Sequence, residues 1–167
     1  IDFLGERDNF GLTITVSDER DRLLDTGGAI KKARILLGDE EPVLIHNVDV
    51  ISSIDLAALM KHHDQSGALV TLCVQDRSSS RYFRFSGDDR LCGWINQKAG
   101  KEKQVRQGTV PVKQRAFSGI HVIGPHFFKM ASSFRCFPED TDVFSIVDVY
   151  LCLAAKAKVM GFELQPV

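Results

Sequence analysis

The sequence predicts an α/β domain in three layers, with helices on both faces of a mostly parallel sheet. Three observations carry that prediction. Two short apolar runs, residues 42–46 (PVLIH) and 68–74 (ALVTLCV), read as buried strands, apolar on both faces. Segments with helical periodicity precede and separate these runs, which implies strand–helix–strand units with right-handed crossovers. The chain has 167 residues, 44% hydrophobic and 26% charged, the proportions of one ordinary globular domain. A chain of this size buries roughly 70% of its unfolded surface, so it builds a core without metal or disulfide staples.

Each element follows from its own residues. Residues 1–11 read as the end of a helix that Gly11 closes. Leu12, Ile14 and Val16 alternate with Thr13 and Thr15, the period of two of a half-buried strand. A polar stretch leads to a helix over residues 29–38. There Ile30, Ala33 and Leu37 share one face, and Gly38 is a natural C-cap. After the strand at 42–46, residues 54–63 form a helix with Ser53 or Asp55 as cap. The strand at 68–74 closes the first half.

The second half changes character. Residues 81–95 read as two strands around the polar turn 86–89, hence a hairpin. Residues 97–114 are rich in Lys, Gln and Gly with almost no apolar periodicity, which predicts a mobile surface loop. A strand over 115–123 follows, then a short helix opened by Pro125. A helix within 142–156 and a last strand over 159–167 end the chain. No repeat or linker divides it, so residues 1–167 are expected to form a single domain.

Charge and cysteine usage narrow the function classes. Lys plus Arg number 21 and Asp plus Glu 22, a net charge of -1, so there is no basic field to hold nucleic acid. No apolar stretch approaches the ~20 residues that span a bilayer. Cys73, Cys92, Cys136 and Cys152 form no C-x-x-C pair and have no histidine at zinc-finger spacing. They are expected to be buried, reduced thiols of a cytoplasmic protein. The first residue is Ile1 and the first methionine is Met60, so residues are expected upstream.

In open parallel sheets, ligands bind beyond the carboxyl ends of strands. Asn47, Val48 and Asp49 follow the strand at 42–46. A carboxylate there can hold Mg²⁺, which takes one or two carboxylates plus substrate phosphates; equally, Asp49 can begin a turn and cap the next helix. Asp25, Thr26, Gly27 and Gly28 precede a helix. The two glycines admit a ligand close to the backbone beside free N–H groups, or make an ordinary turn and N-cap. Gly119 inside a strand marks a bulge or the close approach of a ligand. Asn96, Gln97 and Lys98 stand where a strand gives way to the loop, and Lys98 can meet a phosphate as a point charge. Ser78, Ser79 and Ser80, between Arg77 and Arg81, read as a loop, and no G-x-S-x-G makes one of them a nucleophile.

The segments LDTGGAIKKA, VLIHNVDV, GWINQKAG, AFSGIHVI and FSIVDVYL occur in this order. The ordered set resembles the sugar-phosphate nucleotidyltransferase family, and within it the branch of N-acetylmuramate 1-phosphate uridylyltransferases and mannose 1-phosphate guanylyltransferase-like proteins. The resemblance implies a Rossmann-like sheet of GT-A type, incomplete at its N-terminus. It implies transfer of a nucleoside monophosphate from a nucleoside triphosphate to a sugar 1-phosphate, with Mg²⁺ as cofactor. By the same resemblance Asp25, Thr26, Gly27, Gly28 and Asn47 contact the nucleotide. Asp49 binds the metal, and Asp49 and Lys98 are the catalytic pair. Asn96, Gly119 and Asp148 face the sugar. Val48 replaces the family's small residue and Gln97 its acidic one. The family's G-x-G-T-R loop and its second metal-binding aspartate have no counterpart in residues 1–167, so this chain alone is expected to turn over poorly. The base, uridine or guanosine, and the sugar are left to pocket shape. A glycosyltransferase of the same fold is the first alternative, although it would carry D-x-D where this chain has one acid. A non-catalytic nucleotide- or sugar-binding module is the second.

Overall fold

A computed structural model describes residues 2–164. After a short helix α1 (Asp2–Glu6) and a 3-10 turn (Asp8–Gly11), residues 12–19 run without regular structure. The strand expected at Leu12, Ile14 and Val16 is not formed. These three side chains are exposed, and the segment has no strand partner among the described residues. Period-two patterning needs a sheet edge to become a strand, and none lies against this segment.

From Asp25 the expected elements appear in order. They are α2 (Asp25–Leu37), β1 (Val43–His46), α3 (Leu56–Ser66), β2 (Val70–Gln75), β3 (Arg81–Phe85) and β4 (Leu91–Asn96). Then come β5 (Lys101–Gln104), β6 (Lys113–Ile123), α4 (Phe127–Ser133), α5 (Ile146–Ala154) and β7 (Val159–Glu163). Gly38 closes α2 at φ 72, and Asp55 caps α3 by accepting from the Ala58 N–H at 2.9 Å. Residues 97–114 are not a loop throughout, because β5 and the start of β6 lie within them. β5 is exposed on every residue, so its sequence carries no apolar period even though its backbone pairs with β4. Residues 165–167, the end of the expected last strand, lie outside the described residues.

The sheet is mixed but mostly antiparallel, which corrects the expectation of a mostly parallel one. Among the described residues only β2–β7 is a parallel pair; β1–β6, β2–β6, β3–β4, β3–β6 and β4–β5 are antiparallel. The strand–helix–strand unit β1–α3–β2 exists, and its strands run the same way. They are not neighbours, because β6 is inserted between them and runs opposite to both. Periodicity identifies strands but does not say which strand arrives later to lie between two others. β1 is accordingly an edge strand, half-buried instead of fully buried.

The layers hold. On one face, Val70, Leu72 and Val74 of β2 pack with Phe83 and Phe85 against Phe127 of α4 and Val149, Tyr150 and Leu153 of α5. On the other, Cys73, Ile120 and Val122 pack against Leu59 of α3. Alternate residues of β2 and β6 therefore serve opposite cores, as the pleat requires. Each such large apolar side chain contributes roughly 1.5–3 kcal/mol by leaving water.

The cysteines divide. Cys73 and Cys92 are buried free thiols, and burial pushes Cys73 up to about 12, far from a reactive thiolate. Cys136 and Cys152 form a disulfide with Cα atoms 5.5 Å apart, against the expectation of reduced thiols. It ties the segment after α4 to α5. The apolar runs around the cysteines report burial, but not that buried Cys136 and half-buried Cys152, 16 residues apart, meet. Among the described residues no helix is long and apolar enough to cross a membrane.

Candidate functional site

β6 organises the site. One of its sides carries β3 along residues 113–115 and β1 along residues 120–123. Between these pairings the strand is left open, which makes a notch in the sheet. The chain bulges there: Leu72 of β2 pairs with His121 while Val74 pairs with Phe117, so four steps on β6 oppose two on β2. The Ser118 hydroxyl donates to the Cys73 carbonyl at 2.7 Å and satisfies a group close to the break in register.

Gly119 sits at the bulge with φ 78, a conformation that disfavours any residue with a side chain. A Cβ built there would lie 2.9 Å from Asn47 Nδ2. The Asn47 N–H donates to the Gly119 carbonyl at 3.0 Å, which fastens the end of β1 to the notch. The close approach at this strand glycine is thus made by the protein's own Asn47.

Asp49 follows. The Val50 N–H donates to the Asn47 carbonyl at 3.2 Å and turns the chain outward. Asp49 is exposed and lines a cavity of about 290 Å³ with Ser52, Gln75, Arg77, Ser118 and Ile120. An adjoining cavity of about 380 Å³ shares Ser52 and Gln75 and reaches Glu163. Together they lie beyond the carboxyl ends of β1, β2 and β7, where the strand-end rule places ligands. Of the two readings of Asp49, the helix cap falls to Asp55. The Asp49 carboxylate has no hydrogen bond or ion pair among the described residues.

That donor set decides what a metal could find here. Among the described residues there is no group of three or more His, Cys, Asp or Glu side chains that could hold an ion. A protein-caged metal therefore does not fit. One free carboxylate on an open cavity fits Mg²⁺ held largely by waters and substrate phosphates.

Asp25, Thr26, Gly27 and Gly28 form a second group; they do not precede the helix, as expected, but make the first turn of α2, whose N-cap is Leu24. Asp25 adopts φ 58 and its carboxylate accepts from the Thr26 N–H at 2.6 Å. The Gly27 and Gly28 N–H groups both donate to the Phe144 carbonyl, at 2.9 and 3.3 Å. The Phe144 N–H donates to the Leu24 carbonyl at 3.2 Å, and the Ile146 N–H donates to Thr26 Oγ1 at 3.1 Å. A Cβ on Gly28 would stand 1.9 Å from the Asp142 carbonyl oxygen. The glycines admit the chain leading into α5, and their N–H groups are occupied by it. Asp148, in the first turn of α5, pairs with Lys103 of β5 at 2.6 Å.

The remaining positions lie on the β4–β5 hairpin. Asn96 pairs with Arg81 at the start of β3, and its side-chain oxygen accepts from the Ala99 N–H at 3.0 Å. Lys98 is exposed on the turn. Asn47, Asp49 and Gly119 thus meet at the notch, Asp25 to Gly28 gather with the start of α5, and Asn96 and Lys98 stand on the hairpin. The Asp148–Lys103 ion pair ties the start of α5 to the hairpin; no hydrogen bond or ion pair among the described residues joins the notch residues Asn47, Asp49 and Gly119 to the other two groups. Gln75, Arg77 and Ser118 are cavity residues that the motif reading passes over. The signal for two of them was present, because Gln75 ends β2 and Arg77 follows two residues later.

No family model matches the chain. It is similar to two curated rice (Oryza sativa subsp. japonica) proteins, named probable mannose-1-phosphate guanylyltransferase 2 and probable mannose-1-phosphate guanylyltransferase 3. Each is 28% identical over 119 residues, which is 71% of this chain and 31% of the relative. The match therefore spans about a third of the length of these relatives.

Proposed function

We propose that this chain is part of an enzyme that transfers a nucleoside monophosphate from a nucleoside triphosphate to a sugar 1-phosphate. The observation that carries the reading is the meeting of Asn47, Asp49 and Gly119 at a notch beyond the carboxyl end of β1. The distant similarity to proteins named as mannose-1-phosphate guanylyltransferases supports it.

In the proposed reaction a sugar phosphate oxygen attacks the α-phosphorus in line. The bond from that phosphorus to its bridging oxygen breaks, and pyrophosphate leaves. Such a reaction needs positioning and charge neutralisation more than covalent participation by the protein. Mg²⁺, when bound, supplies charge neutralisation at the phosphates. The Asp49 carboxylate, free of other partners, is the residue that would hold it. Asn47 orients the nucleotide beside Asp49, and Asp25, Thr26, Gly27 and Gly28 form a backbone wall for its base and ribose. Asn96, Gly119 and Asp148 bound the sugar, and Lys98, exposed on the β4–β5 turn, brings a positive charge to its phosphate.

The test is pyrophosphate release by the full-length protein with Mg²⁺, over nucleoside triphosphates crossed with sugar 1-phosphates. GTP with mannose 1-phosphate leads the panel, and UTP is its comparison. Release that requires both substrates supports the reading; no release from any pair overturns it.

A further inference from the structure

We propose that Arg77, in addition to Lys98, grips the phosphate of the sugar 1-phosphate, within the cavity that Arg77 shares with Asp49. The inference rests on the function proposed above and adds a substrate contact to it.

Arg77 lies in the short connection from β2 to β3, where the chain passes the notch. Its Nη2 donates to the Phe117 carbonyl at 3.3 Å, within the stretch of β6 that neither β1 nor β3 covers. Its Nη1 makes only a long bond, 3.5 Å, to the Ser78 carbonyl. A guanidinium has five N–H donors in a planar fork, so most of them remain for a ligand.

Two of the acidic groups nearby are held by Arg115. Asp76, the neighbour in sequence, pairs with Arg115 at 3.5 Å, and Arg115 also holds Glu163 at 2.9 Å. Arg77 itself has no carboxylate partner among the described residues, and its side chain is exposed to the cavity. The cavity therefore holds an exposed cation that makes no ion pair, with Asp49 as the one carboxylate in its lining.

The cavity's other polar groups sort by hydrogen-bond role. Ser118 already spends its one proton on the Cys73 carbonyl, so its oxygen can only accept. A phosphate dianion offers no proton and finds no donor in Ser118, whereas a sugar hydroxyl does donate. Gln75, at the end of β2, can both donate and accept. Arg77 is thus the group suited to the phosphate, and Ser118 and Gln75 are suited to the sugar. Its fork can engage two phosphate oxygens at once, which a lysine at the same place cannot do.

The test is calorimetric titration of the full-length protein with mannose 1-phosphate, glucose 1-phosphate, inorganic phosphate and free mannose. Wild type is expected to bind at least one sugar phosphate, with inorganic phosphate competing and free mannose binding more weakly. Arg77→Gln should weaken that sugar phosphate about tenfold or more, and Arg77→Lys should fall between the two. The melting temperature of the unliganded protein should stay as in wild type, because Arg77 is exposed. Unchanged sugar phosphate binding by Arg77→Gln overturns the proposal, as does a wild type that binds none of the phosphates. Arg77-dependent binding without pyrophosphate release from any substrate pair would leave the phosphate site standing and remove the nucleotidyl-transfer reading alone.

Discussion

The backbone N–H of Asn47 donates to the carbonyl of Gly119 at 3.0 Å, and this bond joins the end of β1 to the bulge of β6. Gly119 sits there at φ 78 with the Asn47 side chain over it. Gly119→Ala should therefore strain the backbone and push Asn47 aside. A loss of about 1–3 kcal/mol is expected, read as a fall of several degrees in melting temperature. Binding of nucleoside triphosphate should weaken as well, because Asn47 shifts.

Gly28 faces its own chain more tightly. A Cβ there meets the Asp142 carbonyl at 1.9 Å, which is backbone and cannot swing away. Gly28→Ala should be the more destabilising of the two glycine substitutions, with a cost above about 3 kcal/mol and poor recovery of folded protein. Chemical denaturation of the two variants side by side checks the order.

Asp49 is exposed and unpartnered, so Asp49→Asn should leave the melting temperature of the unliganded protein within about 1 °C of wild type. With GTP present, Mg²⁺ should raise the wild-type melting temperature by mass action and fail to raise that of Asp49→Asn. An equal rise in both proteins would remove the metal assignment.

His121 gives the fold a pH dependence. It is buried between the rings of Phe117 and Tyr150, and desolvation lowers its pKa to about 3. His63, buried and hydrogen-bonded to the Thr71 hydroxyl at 2.8 Å, is also lowered, first by desolvation. An unfolded histidine takes a proton near pH 6.5; folded His121 does not, and folded His63 takes one less readily. The unfolded state therefore binds more protons below that pH. Stability from both histidines is complete above about pH 6.5 and is lost as pH falls toward the folded values. For His121 the slope approaches roughly 1.4 kcal/mol per pH unit below about pH 6.5, and His63 adds to it in the same direction. His121→Leu should flatten the stability profile measured between about pH 6.5 and pH 4.

Local chemistry was legible in the residues themselves. Gly38 and Asp55 end and begin helices because cap geometry depends on a few neighbouring atoms. The apolar runs of β1, β2 and β6 and the stripe of α5 follow from burial, which leaves a periodic trace. Asp49 stood out by its place after a strand. β5 left no trace because both its faces meet water, and Leu12, Ile14 and Val16 left a false one because no sheet edge takes them up.

The candidate site divides along the same line. A strand-end carboxylate and a strand glycine could be picked out singly from their positions. Their meeting could not, because it needs β6 to travel back across some 70 residues and lie between β1 and β2. The same insertion makes the sheet mostly antiparallel and opens the notch where Arg77 reaches the Phe117 carbonyl. By itself the sequence determined the buried strands and the helices from α2 onward, since propensity, capping and periodicity act within a few residues, but neither β5 nor the fate of residues 12–16. The tertiary structure alone decided strand neighbours, the Cys136–Cys152 pairing and the cavity, because each depends on contacts between residues far apart in the chain.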